Sequence, residues 1–100
     1  MREEERMYLH WFCFHAQISY QKKRFLCQLS IPPKRLFYME AGACRAYFQE
    51  TEMASFLKSR ELETTKREIA WLHRNNGWTV FWNEERYPKK LKQIDDYPLG

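Results

Sequence analysis

Apolar residues recur at helical spacing from the first turns of the chain. Behind Glu3, Glu4 and Glu5, the residues Met7, Trp11 and Phe14 fall on one face, and Tyr8 and Phe12 widen it. This pattern predicts a helix over 4–16, with its early acids at the positive end of the helix dipole. Ser19 is placed to cap a second helix over 20–29, with Phe25, Leu26 and Leu29 turned inward and Lys22, Lys23 and Arg24 outward. Pro32 and Pro33 stop that helix, and Pro33 suits the first position of a short third one reaching Met39. Gly42 breaks the pattern again. Two short apolar stretches follow, over 43–48 and, behind a Thr51 cap, at Met53, Phe56 and Leu57.

The clearest helical segment covers 61–75. Leu62, Ile69 and Leu72 form its apolar stripe, and Glu63 with Arg67 makes an i,i+4 pair in the favoured orientation. His73 and Arg74 suit its negative end, and Asn76-Gly77 supplies a C-terminal cap. The next five residues, 78–82, hold three large aromatics and the single valine of the chain, which predicts one short strand. A turn over 83–86 leads to Tyr87-Pro88, where the proline can open a last helix with Leu91 and Ile94 inward. The expected fold is therefore mostly α: a small bundle of five or six short helices, with one short strand near the C-terminus.

Composition strengthens that expectation. The 100 residues fit a single domain, 1–100, with one modest core. There are 17 aromatics against one Val and four Ile, so Phe, Trp, Tyr, Leu and Met must build the core. So few β-branched residues disfavour a sheet-rich fold. Cys13, Cys27 and Cys44 each lie in an apolar run and form no Cys-x-x-Cys pair. They read as small core residues of a cytoplasmic protein rather than a disulfide framework. The N-terminus lacks a basic leader, and the run over 7–16 is too short to span a bilayer, so no membrane association is expected.

Charge is unevenly placed. The net charge is +4, and no acidic residue lies between Glu5 and Glu40, whereas Arg6, Lys22, Lys23, Arg24, Lys34 and Arg35 fall in that stretch. Lys22, Lys23, Arg24, Lys34 and Arg35 are the candidate contacts to DNA phosphates, set against the plain alternative of a solvated helix face. Catalytic signatures are missing. The chain has no glycine-rich phosphate loop, no nucleophile elbow and no His-Glu-x-x-His helix, so no enzyme activity is expected. His10 and Cys13 share a helix face while His15, continued on the same helix, points elsewhere. Four tetrahedral ligands do not assemble from this set, and neither a metal nor a cofactor is expected.

The C-terminal third carries a more specific pattern. Tyr87, Pro88, Leu91, Ile94, Asp96 and Pro98 are spaced Tyr-Pro-x-x-Leu-x-x-Ile-x-Asp-x-Pro. This resembles the segment leading into the core of the DNA-processing protein A family (DprA, also called Smf). The resemblance extends over about 62–99, through the charged helix, Asn76-Gly77 and the acidic turn before Tyr-Pro. Over the first sixty or so residues it is architectural: the family carries there a small helical domain similar to sterile-alpha-motif or helix-hairpin-helix folds. The Gly-x-Gly hairpin of many such domains is replaced here by Ile18-Ser19-Tyr20.

The resemblance implies an N-terminal accessory domain, itself non-catalytic, whose segment 84–100 leads toward a Rossmann-like core. Members of the family bind single-stranded DNA during natural transformation and help load the RecA recombinase. Those activities belong to the core and its Gly-Ser-Arg loop, which lies outside these 100 residues, so none of its DNA-contacting residues maps onto this chain. The residues alone leave two other classes open. One is a free-standing helical nucleic-acid-binding domain, whose mark is salt-dependent DNA binding. The other is a protein-interaction module, whose mark is association through its aromatic surface without DNA.

Overall fold

A computed structural model describes residues 2–89 and Leu99. Six helices follow one another: α1 (Glu3–Phe14), α2 (Tyr20–Gln28), α3 (Pro33–Tyr38), α4 (Ala41–Cys44), α5 (Glu50–Lys58) and α6 (Glu63–Arg74). The mostly helical small bundle expected from the sequence is the fold observed. Among the described residues no helix is long and apolar enough to cross a membrane.

The first helix is the central one. Tyr8, Leu9, His10, Trp11 and Phe12 are consecutive and all buried, so α1 is surrounded on every side rather than along one stripe. It packs against α3 on one flank and α6 on the other. Trp11 is fully buried, its ring edge-on to Phe37 at 5.0 Å and tilted to Phe56 at 6.2 Å. Its indole N–H donates to the Ser59 carbonyl at the end of α5 (2.8 Å), which satisfies the one polar atom of the ring. Leu26, Leu36, Cys44 and Phe48 complete the same core, Phe48 stacking on Phe56 at 4.4 Å. Arg60 then closes the end of α3, donating to the carbonyls of Leu36 (3.3 Å) and Met39 (2.7 Å) while lying over the Phe56 ring.

Local caps explain several helix ends. Ser19 Oγ accepts from the Lys22 amide as expected for α2, and Pro33 begins α3. Helix α5 departs from expectation. Its cap is Gln49, which exchanges hydrogen bonds with Glu52 in a capping box, and Thr51 lies inside the helix. Gly42 likewise sits within α4 instead of breaking the chain. At the end of α6 the left-handed residue is Asn76 (φ 54°), not Gly77. The Gly77 amide bonds the Leu72 carbonyl (2.7 Å) and the Asn76 amide bonds that of His73 (3.3 Å), a Schellman closure. Gly77 matters through space: a Cβ there would lie 3.1 Å from Leu72 Cδ2. Ser30 (φ 58°) closes α2 in the same way.

Two sequence expectations fail on burial and on the strand. Of the α2 residues expected inward, only Leu26 is buried, and Phe25 and Leu29 are exposed. A nine-residue helix offers a narrow face, and Leu26 fills it. The stretch 78–82 is irregular, with no strand among the described residues. A strand needs a partner for its backbone groups, and no second strand is present among the described residues to supply one. Instead the Trp82 amide bonds the Leu99 carbonyl (3.1 Å), Phe81 is buried, and Trp78 is 64% exposed. The helix expected from Pro88, with Leu91, Ile94, Asp96 and Pro98, lies outside the described residues.

Arg6 anchors this C-terminal loop to α1. Its guanidinium pairs with Glu84, donates to the Thr79 carbonyl and lies 5.3 Å from the centroid of the Phe81 ring. Glu84 also accepts from the Phe81 amide (2.9 Å). Burial works to raise the Glu84 carboxyl, but the Phe81 amide and Arg6 outweigh it and hold the group below the ordinary carboxylate range. A carboxyl depressed on folding contributes stability above its unfolded value and loses it as pH falls through the folded one. Glu84→Gln is therefore expected to cost about 2 kcal/mol near neutral pH, typical of a hydrogen bond to a charged group. The difference from the native chain should shrink as pH drops to about 3, and urea unfolding of both proteins at the two pH values checks it.

Candidate functional site

The five basic residues singled out in the sequence do not form one strip. Lys22 donates its ammonium to the Tyr47 carbonyl (2.6 Å) and lies 3.8 Å from Glu52. Lys23 donates to the Cys13 carbonyl (3.0 Å), and burial lowers its pKa from the usual lysine value. Lys34, on α3, pairs with Glu4 at the surface. Arg24 lies over the Tyr20 ring at 6.0 Å, and Arg35 is exposed. Three of the five thus hold elements of the fold together: α2 to the segment before α5, α2 to α1, and α3 to α1.

A second basic surface lies on α6. Arg67, Trp71 and Arg74 follow at i, i+4 and i+7, which sets them along one stripe, and all three are exposed. Sequence reasoning missed this stripe because Leu62, Ile69 and Leu72 define the opposite, partly buried face and draw attention there. A flat aromatic between two guanidinium groups is the arrangement that stacks a base while neutralising phosphates. On the inner side, Met7, Ile69, Leu72, Trp78 and Phe81 line an apolar groove of about 350 Å³ between α1, α6 and the loop that follows.

The motif residues at the C-terminal end divide into two groups. Tyr87 is buried and its amide bonds the Glu84 carbonyl (3.1 Å), while Pro88 is exposed. Leu91, Ile94, Asp96 and Pro98 lie outside the described residues. Beyond them, Leu99 is buried in the main core cluster and its carbonyl faces Cys13 Sγ at 3.7 Å.

The histidines converge, contrary to the expectation for a continuous helix. Helix α1 ends at Phe14, and His15 is its C-cap residue with φ −125° and ψ −27°. That break swings the His15 ring back over His10, with centroids 5.8 Å apart and planes 29° from parallel. Nε2 of both rings reaches the same oxygen, Oε1 of Glu68 on α6, at 3.0 Å from His10. His10 is buried, His15 half-buried and Glu68 exposed. Hydrogen bonds from His15 and His10 hold the Glu68 carboxyl below the ordinary range.

No family model, curated protein or solved structure matches this chain.

The chemistry open to these groups follows from their surroundings. All three cysteines are free thiols. Burial pushes Cys13 up to about 12, against the opposing field of Lys23, and pushes Cys27 up to about 11; Cys44 is raised for the same reason. The thiolate is the reactive form, so burial holds these thiols in the less reactive protonated form at neutral pH. Iodoacetamide labelling followed by intact-mass measurement is expected to modify the native protein slowly and to add three groups promptly once guanidinium unfolds it. Rapid native labelling of Cys13 would contradict its burial.

Proposed function

We propose that this chain is a non-catalytic accessory domain of a DprA/Smf-type DNA-processing protein. It works beside a Rossmann-like core that carries single-stranded DNA handling and RecA loading. The observation that supports this most is the seating of the motif: Tyr87 at its start is buried, and Leu99 just past its end is buried in the main core cluster. Arg6 and Glu84 reinforce that seating from α1.

The domain's own share in DNA binding is weak and without sequence preference. Arg35 offers a phosphate contact from the exposed surface, and Lys22, Lys23, Arg24 and Lys34 join it by exchanging internal interactions for phosphate ones. Trp71 with Arg67 and Arg74 adds a stacking position. A second reading, a protein-interaction module, draws support from the apolar groove beside the exposed Trp78. Self-association without DNA binding would favour it.

Three phosphate contacts predict a slope of log affinity against log salt of about −2 for single strands, with affinity micromolar or weaker at physiological salt. Titration of a labelled oligonucleotide at two salt concentrations reads both. Arg24→Ala with Arg35→Ala should reduce the slope, and Trp71→Ala should weaken binding by about 1–3 kcal/mol. Nanomolar affinity, or binding indifferent to all three changes, would displace the DNA surface from these residues. The family reading is checked by the reading frame after codon 100. Continuation into a glycine-rich α/β domain is expected, and an immediate stop would overturn the accessory role.

A further inference from the structure

We propose that His10, His15 and Glu68 form a binding site for one zinc ion joining the end of α1 to α6. The three donor atoms, two imidazole Nε2 and one carboxylate oxygen, all lie within 4.8 Å of one another. A tetrahedral zinc with bonds of about 2.0–2.2 Å holds its ligand atoms roughly 3.3 Å apart, which these groups reach by small side-chain movements. The donor set is chemically apt. Neutral imidazole and carboxylate suit zinc, and two histidines with one glutamate leave a fourth position for water.

Three features of the surroundings favour a cation here. Both Nε2 atoms are aimed at a single carboxylate oxygen, so a metal ion that displaces their protons would meet two imidazole lone pairs already directed at one point. Glu61, whose carboxylate accepts from the Thr64 amide (3.3 Å), lies within the field of His15 and adds a second negative charge. The site is also graded in exposure, from buried His10 to exposed Glu68, which fixes one ligand firmly and leaves an entry path on the α6 side. Cys13 is not a ligand, since its sulfur faces the Leu99 carbonyl.

The ion would act as a clasp. Helix α6 fully buries only Thr65 among its described residues, so its attachment to α1 depends on few contacts. A ligand that binds the folded state alone stabilises it in proportion to the logarithm of its excess over Kd.

The test is calorimetric titration of zinc chloride into the full chain after chelator treatment, with thermal unfolding in parallel. One zinc per chain is expected, with Kd about micromolar or tighter. The unfolding midpoint should rise by roughly 10–20 °C at zinc a hundredfold above Kd. Cobalt in place of zinc should show ligand-field absorption without thiolate charge transfer. Glu68→Gln and His15→Ala change exposed or half-exposed positions and should keep the helical circular dichroism. Each should weaken zinc by more than about 100-fold, beyond the ~10–100-fold typical of outer-shell changes. His73→Ala, an exposed histidine outside the cluster, should leave affinity unchanged. Absence of stoichiometric binding overturns the site. So does zinc affinity unaltered by Glu68→Gln and His15→Ala, or lost equally in His73→Ala.

Discussion

Everything else in this fold is arranged around the burial of one indole. Trp11 touches Phe37 of α3 and Phe56 of α5, and its N–H is answered by the Ser59 carbonyl. A buried tryptophan contributes on the scale of about 3–5 kcal/mol, a large fraction of the margin that a domain of this size has. Its hydrogen bond adds direction to that burial. The ring can lie in only one orientation if the N–H is to reach Ser59, and that orientation determines where α3 and α5 must stand. Helices α2 and α4 are positioned secondarily, by Leu26 and Cys44 closing around the same centre.

Much of this was legible along the chain, and the parts that were not share a cause. Ser19 and Pro33 act within one turn of themselves, so sequence alone locates them. The gap between the two prolines and the start of α5 is harder, since Thr51 has the residue type of a cap and Gln49, the cap observed, does not. The choice rests on Glu52, which answers Gln49 and has no matching role with Thr51. Phe25 and Leu29 look inward by spacing, yet burial depends on what stands opposite, and α2 is too short to be enclosed. The segment 78–82 has strand-like residues and no strand, because pairing is a property of two segments. Asn76 in place of Gly77 is a finer case: both tolerate the left-handed region, and the tight Leu72 contact at Gly77 assigns the roles.

The candidate sites were less legible than the fold. Helical periodicity separates His10 from His15, and only the end of α1 one residue earlier brings them together. Glu68 comes from another helix, more than fifty residues away, with no local signal linking it to either histidine. The basic residues show the converse. They are conspicuous as a charge run, yet Lys22 is held by Tyr47 and Glu52, Lys23 by Cys13, and Lys34 by Glu4. A run of lysines near buried helix ends serves orphan carbonyls as readily as it serves phosphates.

The central position of α1 has a consequence in time as well as in space. It leaves the ribosome before every element that encloses it. The acceptor of the Trp11 hydrogen bond lies 48 residues downstream. At ordinary synthesis rates that interval is roughly 2–10 s. Throughout it, Tyr8, Leu9, Trp11 and Phe12 form an apolar segment with no core to enter. Such a segment is what chaperones capture and what aggregates when they do not. The same residues that give the finished domain its centre therefore make the nascent chain depend on being shielded until α5 has emerged.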